Sequence, residues 1–125
     1  GIAESVRMRG FMDRHALGRA YSDYDAFVTA STIETQGIVL LEAMAAGLPI
    51  AGVKALAIPE LVIDGRDGLL VEPGDERALA AAMGTLVADE TLRARLGAAG
   101  QTDVRPHALE SVVTRLEELY ERVLA

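Results

Sequence analysis

The sequence contains no cysteine, and aromatic residues make up only 4% of its 125 positions. The first absence excludes a disulfide framework and thiolate metal sites, and fits a reducing compartment. The second argues against a β-sandwich, whose core leans on Tyr and Trp. Positive charge is also short: 12 Lys and Arg face 19 Asp and Glu, a formal net charge of −7. Such a domain as a whole repels a phosphate backbone, and no nucleic-acid partner is expected. No apolar run approaches the roughly 18 residues of a membrane span, and no basic, apolar leader opens the chain. A cytoplasmic location is expected. The chain begins at Gly1 without an initiator Met, and a fragment of a longer protein is expected.

What is present is apolar and small: 50% of residues are hydrophobic, dominated by Ala, Leu and Val. This composition suits helices packed on a buried sheet, and the length suits a single α/β domain. Alternation over Ser5–Phe11 predicts a strand, and Ala16, Leu17, Ala20 and Tyr21 predict a helix over about Arg14–Ser22. The apolar run Ala26–Ala30 reads as a strand buried on both faces, and Ser31–Gly37 as the loop after it. A helix follows over Ile38–Ala46, stopped by Gly47 with Pro49 just beyond. Ile50–Val53 and Leu69–Val71 read as further strands, separated by a helical turn at Ile58–Ile63 that Pro59 opens. Asp75 and Asp89 are placed to cap two helices, and Pro106 to open a last one. On that last helix Leu109, Val112, Leu116, Leu119 and Val123 form one stripe. Strands alternating with helices imply a parallel sheet with right-handed crossovers. The strands found are fewer than a doubly wound nucleotide-binding sheet commonly has, so an incomplete sheet is expected.

The segment richest in chemistry is Glu34-Thr35-Gln36-Gly37-Ile38-Val39-Leu40-Leu41-Glu42. It passes from the loop after a strand into a helix, at the carboxyl end of the sheet where ligands bind. Gly37 permits close backbone approach, and the amides of Gln36, Gly37, Ile38 and Val39 would point at an anion beside the positive end of the helix dipole. Glu42 lies about five residues further on, roughly 7 Å along the axis, near the separation of a β-phosphate from its ribose. Glu34 precedes the helix, where a carboxylate can hold hydroxyl groups by charge-assisted hydrogen bonds. Taken singly, each of these residues is equally explained as a solvated helix acid, a loop cap or a turn glycine.

The run resembles the Glu-x7-Glu signature of family-four retaining glycosyltransferases, and the resemblance extends along the chain. It covers Val6-Arg-Met-Arg-Gly-Phe11, Tyr24–Ser31, Glu34–Pro49, Ile58–Val62 and Asp64–Asp75, in order. It implies an α/β fold, a Rossmann-like parallel sheet with flanking helices, forming the C-terminal half of the GT-B fold. Residues 1–125 would be its nucleotide-sugar-binding domain without the first strands, and the N-terminal acceptor domain would be absent. The resemblance implies that Glu42 holds the donor ribose, that Glu34 acts at the donor sugar as the catalytic acidic residue, and that Gln36, Gly37, Ile38 and Val39 hold the diphosphate and sugar. Phe11 and Met12 resemble positions that meet the nucleobase. The reaction implied is transfer of a hexose from a nucleotide diphosphate sugar to an acceptor hydroxyl, with retention and without a cofactor or metal.

The sequence departs from the family at Ala55-Leu56-Ala57, where the family often has a Gly-Gly pair before Ile-Pro-Glu. Thr35-Gln36 resembles a branch that glycosylates membrane lipids, with membrane contact made only through the missing half. The basic residues that clamp the diphosphate in the family lie on elements that precede this segment. Arg14, Arg19 and Lys54 match no such clamp, and His15 and His107 stand without partner ligands. The fragment alone is therefore expected to be inactive, and an uncovered sheet edge to invite self-association. The competing readings are a non-catalytic or engineered α/β fragment with at most weak nucleotide binding, and an unrelated domain of flavodoxin or receiver type.

Overall fold

The computed structural model describes residues 1–124. Three parallel strands, β1 (Phe27–Val28), β2 (Ile50–Val53) and β3 (Gly68–Val71), form a sheet in the order β1-β2-β3. Six α-helices accompany them: α1 (Arg14–Ser22), α2 (Ile38–Ala45), α3 (Ile58–Leu61), α4 (Glu76–Ala88), α5 (Glu90–Asp103) and α6 (Leu109–Leu124). β2 is the central strand. Its residues are all buried, and it pairs Phe27 with Ile50 on one side and Ile50 with Gly68 on the other. Ile50 and Ala51, adjacent in β2 and so pointing to opposite faces, belong to different apolar clusters. Ile50 packs with Leu40, Met44, Ile58 and Val62 from the α2 and α3 side. Ala51 packs with Ala82, Leu86 and Leu96 of α4 and α5. Helices thus cover both faces of a parallel sheet, the architecture expected for half of a GT-B fold.

Local signals set the helix ends. Asp13, Asp75 and Asp89 cap α1, α4 and α5, each side chain accepting at 2.8 Å from the amide three residues on. Leu48 donates to the Ala43 carbonyl and Gly47 to that of Met44, which closes α2 with Gly47 in the left-handed region. The turn that follows is then held from α5. Gly97 presses on the Gly47 carbonyl so closely that a Cβ there would collide with it.

Three sequence expectations are corrected. The strand expected over Ala26–Ala30, buried on both faces, is only Phe27–Val28 at the edge of the sheet, with Val28 40% exposed. Ser5–Phe11 forms no strand: a 3-10 turn at Ala3–Ser5 is followed by exposed, irregular chain, with Met8 92% and Phe11 97% exposed. Alternation supplies a face for a strand but not the neighbouring backbone that would pair with it, and no such neighbour lies among the described residues. Nor does Pro106 open the last helix. It sits in a 3-10 turn, Arg105–His107, and Ala108 is extended before α6 begins. The apolar stripe of α6 is present as expected, yet none of its residues is buried.

Candidate functional site

The turn into α2 is built around Gly37, the N-cap residue, at φ 68°. This is a conformation that L side chains rarely adopt, and a Cβ would also strike Leu61 of α3. Glu34 supplies the cap that glycine lacks. Its Oε1 accepts from the Gly37 amide at 2.8 Å and from that of Gln36 at 3.2 Å. Those two bonds, Gly37 first, hold the half-buried Glu34 carboxyl below its ordinary range. Two of the amides anticipated for an anion are therefore held by this carboxylate. The next two, of Ile38 and Val39, have no acceptor among the described residues and belong to residues with exposed side chains.

Glu42 lies further along α2, half-buried and turned toward α1. Its Oε2 accepts from the Tyr21 hydroxyl at 3.1 Å. Both residues line a cavity of about 320 Å³ together with Arg14, Leu17, Gly18, Ala45 and Ala46. Glu34, Gln36, Gly37, Ile38 and Val39 thus gather at the start of the helix, and Glu42 faces a separate hollow on its flank. Phe11 and Met12 do not line that hollow, and Phe11 projects almost wholly into solvent. Tyr21 and Arg14, which line the hollow with Glu42, carry no mark of that placement in the sequence. In sequence Tyr21 reads as an apolar member of the α1 face, and Arg14 as a surface charge.

The loop after β2 adjoins the start of α2. Ala57 donates to the Glu34 carbonyl at 3.1 Å, beside Leu56, which is 57% exposed. Leu56, at φ 46°, is the sole non-glycine residue in the left-handed region among those described. The position where the resemblance expects a glycine therefore keeps the backbone conformation that glycine suits, with a leucine in it. Elsewhere, a smaller hollow of about 170 Å³, lined by Asp25, Ala26, Val28, Met83, Leu86, Val87 and Arg93, contains none of the anticipated site residues. No three His, Asp or Glu side chains among the described residues are grouped to hold a metal ion. No helix among them is long and apolar enough to cross a membrane.

The family model for glycosyl transferases group 1 matches residues 1–103, which include both anticipated carboxylates and stop short of α6. The phosphatidyl-myo-inositol mannosyltransferase of Mycobacterium leprae is 36% identical over 124 residues, covering 98% of this chain and 33% of that protein. Among solved structures, sucrose-phosphate synthase from Thermosynechococcus elongatus superposes with a TM-score of 0.89 at 31% identity, over 98% of this chain and 31% of that one. Anabaena HepE, solved in complex with UDP, gives 0.74 at 29% identity, over 88% and 30%. The chain spans between 22% and 33% of the length of the curated relatives it matches. Ordered motifs, a parallel sheet covered on both faces and a family match over most of its length agree: the chain belongs to the group 1 glycosyl transferases.

Proposed function

We propose that this chain is the donor-binding part of a retaining hexosyltransferase, the C-terminal domain of a GT-B enzyme without its first strands. Its substrate is a nucleotide diphosphate sugar, and the observation that carries the reading is Glu42. This carboxylate is half-buried in a cavity at the flank of a helix whose leading amides, Ile38 and Val39, lack protein acceptors. The ribose hydroxyls are held by Glu42, and the diphosphate lies toward the positive end of α2. As the bond from the anomeric carbon to the diphosphate breaks, the helix dipole and the open amides stabilise the charge that develops on the leaving group. Glu34 lies on the sugar side and orients the hexose, leaving the Gln36 and Gly37 amides as it does so. The acceptor hydroxyl comes from the other half of the enzyme, so the chain alone turns over no nucleotide sugar. A membrane glycolipid is the proposed acceptor, in keeping with the name of the Mycobacterium leprae relative.

Calorimetric titration with nucleoside diphosphates tests this reading. Binding is expected for the chain and is selectively weakened for ribose-containing ligands in Glu42→Ala. Equal affinity in the two proteins refutes it.

A further inference from the structure

Tyr21 lies near the C-terminal end of α1, and no local pattern connects it to Glu42. The fold joins them across 21 positions through the 3.1 Å bond from the phenol to Glu42 Oε2. The ring is held on another side by Phe27 of β1, with centroids 6.2 Å apart and planes inclined at 44°. A strand and a helix thus fix where the hydroxyl points before any ligand is met. Burial, with Glu42 alongside, pushes the Tyr21 hydroxyl up to about 12, so it remains a donor at any pH used for assay. Phenylalanine would fill the same contact between α1 and α2 equally well. The hydroxyl is the part that packing leaves unexplained.

We propose that Tyr21 is a positioning residue for the ribose site: it holds one oxygen of Glu42 and so presents the other to the vicinal hydroxyls of a nucleoside diphosphate. This rests on the donor-site reading above. A free glutamate on a helix flank samples several rotamers, and a ligand that needs one of them loses affinity in ordering it. A carboxylate already held through Oε2 has its plane set, and Oε1 keeps its lone pairs for the 2′- and 3′-hydroxyls. Both side chains line the same cavity, which leaves room for a ligand beside the pair.

The experiment titrates the chain with UDP and GDP and with their 2′,3′-dideoxy analogues, for the parent, Tyr21→Phe and Glu42→Ala, with melting temperatures measured alongside. Tyr21→Phe is expected to weaken the better-bound ribonucleotide about three- to tenfold, the cost of ordering one freed side chain on binding. Affinity for its dideoxy analogue stays unchanged, and Glu42→Ala removes the preference for ribose altogether. If Glu42→Ala removes the preference but Tyr21→Phe weakens both ligands equally, or neither, the positioning role is overturned and the donor site stands. If neither nucleotide binds, or Glu42→Ala changes nothing, both are overturned.

Discussion

Asp67 is a fully buried carboxyl in the turn before β3. Its Oδ1 accepts from the Ile63 amide at 2.7 Å, while Oδ2 is buried without a hydrogen-bond partner among the described residues. Beside it stands the Asp103 carboxylate of α5, gripped by Arg66 through Nε at 2.6 Å and Nη2 at 2.7 Å. Burial, and then the neighbouring Asp103, push the Asp67 carboxyl above its ordinary range, against the pull of the Ile63 amide and Arg66. Arg95 of α5 also reaches this turn, donating to the Gly65 carbonyl at 3.2 Å. Protonation of Asp67 would resolve the geometry by giving it a hydroxyl to donate to Asp103. Asp67→Asn makes that donor permanent at the same volume, with the amide oxygen kept on Ile63.

An unpaired buried polar group costs about 1–3 kcal/mol, so the variant is predicted to gain about 1–2 kcal/mol at neutral pH. That corresponds to a rise in melting temperature of roughly 4–10 °C for a domain of this size. The folded value of Asp67 is raised, so its stabilising proton is fully present below the unfolded value of about 3.9 and is lost as pH climbs through the folded one. Between those limits the parent loses stability relative to Asp67→Asn, and at about pH 4 the two converge. Thermal unfolding followed by circular dichroism from pH 4 to 8 measures this directly. Parallel profiles, or a variant less stable than the parent at pH 7, refute the shared-proton arrangement.

Two further perturbations probe the loops around the start of α2. Leu56→Gly removes a side chain from a left-handed position and is expected to raise stability by about 1 kcal/mol, read as a higher urea midpoint at unchanged slope; a lower midpoint refutes the strain. Glu34 has a lowered folded value, so its capping contribution is present above the ordinary carboxyl range and is lost as pH falls through the folded one. Melting temperature should therefore fall less steeply below about pH 5 in Glu34→Gln than in the parent, and coincident acid slopes would show that the cap contributes nothing.

The helices were legible because their signals are local. Asp75 and Asp89 lie within three residues of the amides they cap, and Gly47 lies next to the helix it closes. The order of elements and the parallel sheet followed from the alternation of strand and helix. The family was legible because its motifs run in order along one chain. Ser5–Phe11 misled because alternation is a property of the segment, whereas a strand is a property of a pair.

The amino-acid sequence by itself determined the α/β class, the caps of α4 and α5, the stop of α2 and the spacing of Glu34 from Glu42, since each depends on residues a few positions apart. Tertiary structure decided what those carboxylates do in the fold: Glu34 turns back onto the Gln36 and Gly37 amides, and Glu42 faces a hollow with Tyr21. It also decided that Leu56 takes a glycine's conformation and that Asp67 is buried beside Asp103. The cap made by Glu34 spans only three residues, but the pairing of Glu42 with Tyr21 and the burial of Asp67 beside Asp103 join segments remote in the chain, and their partners and electrostatics exist only once those segments have packed together.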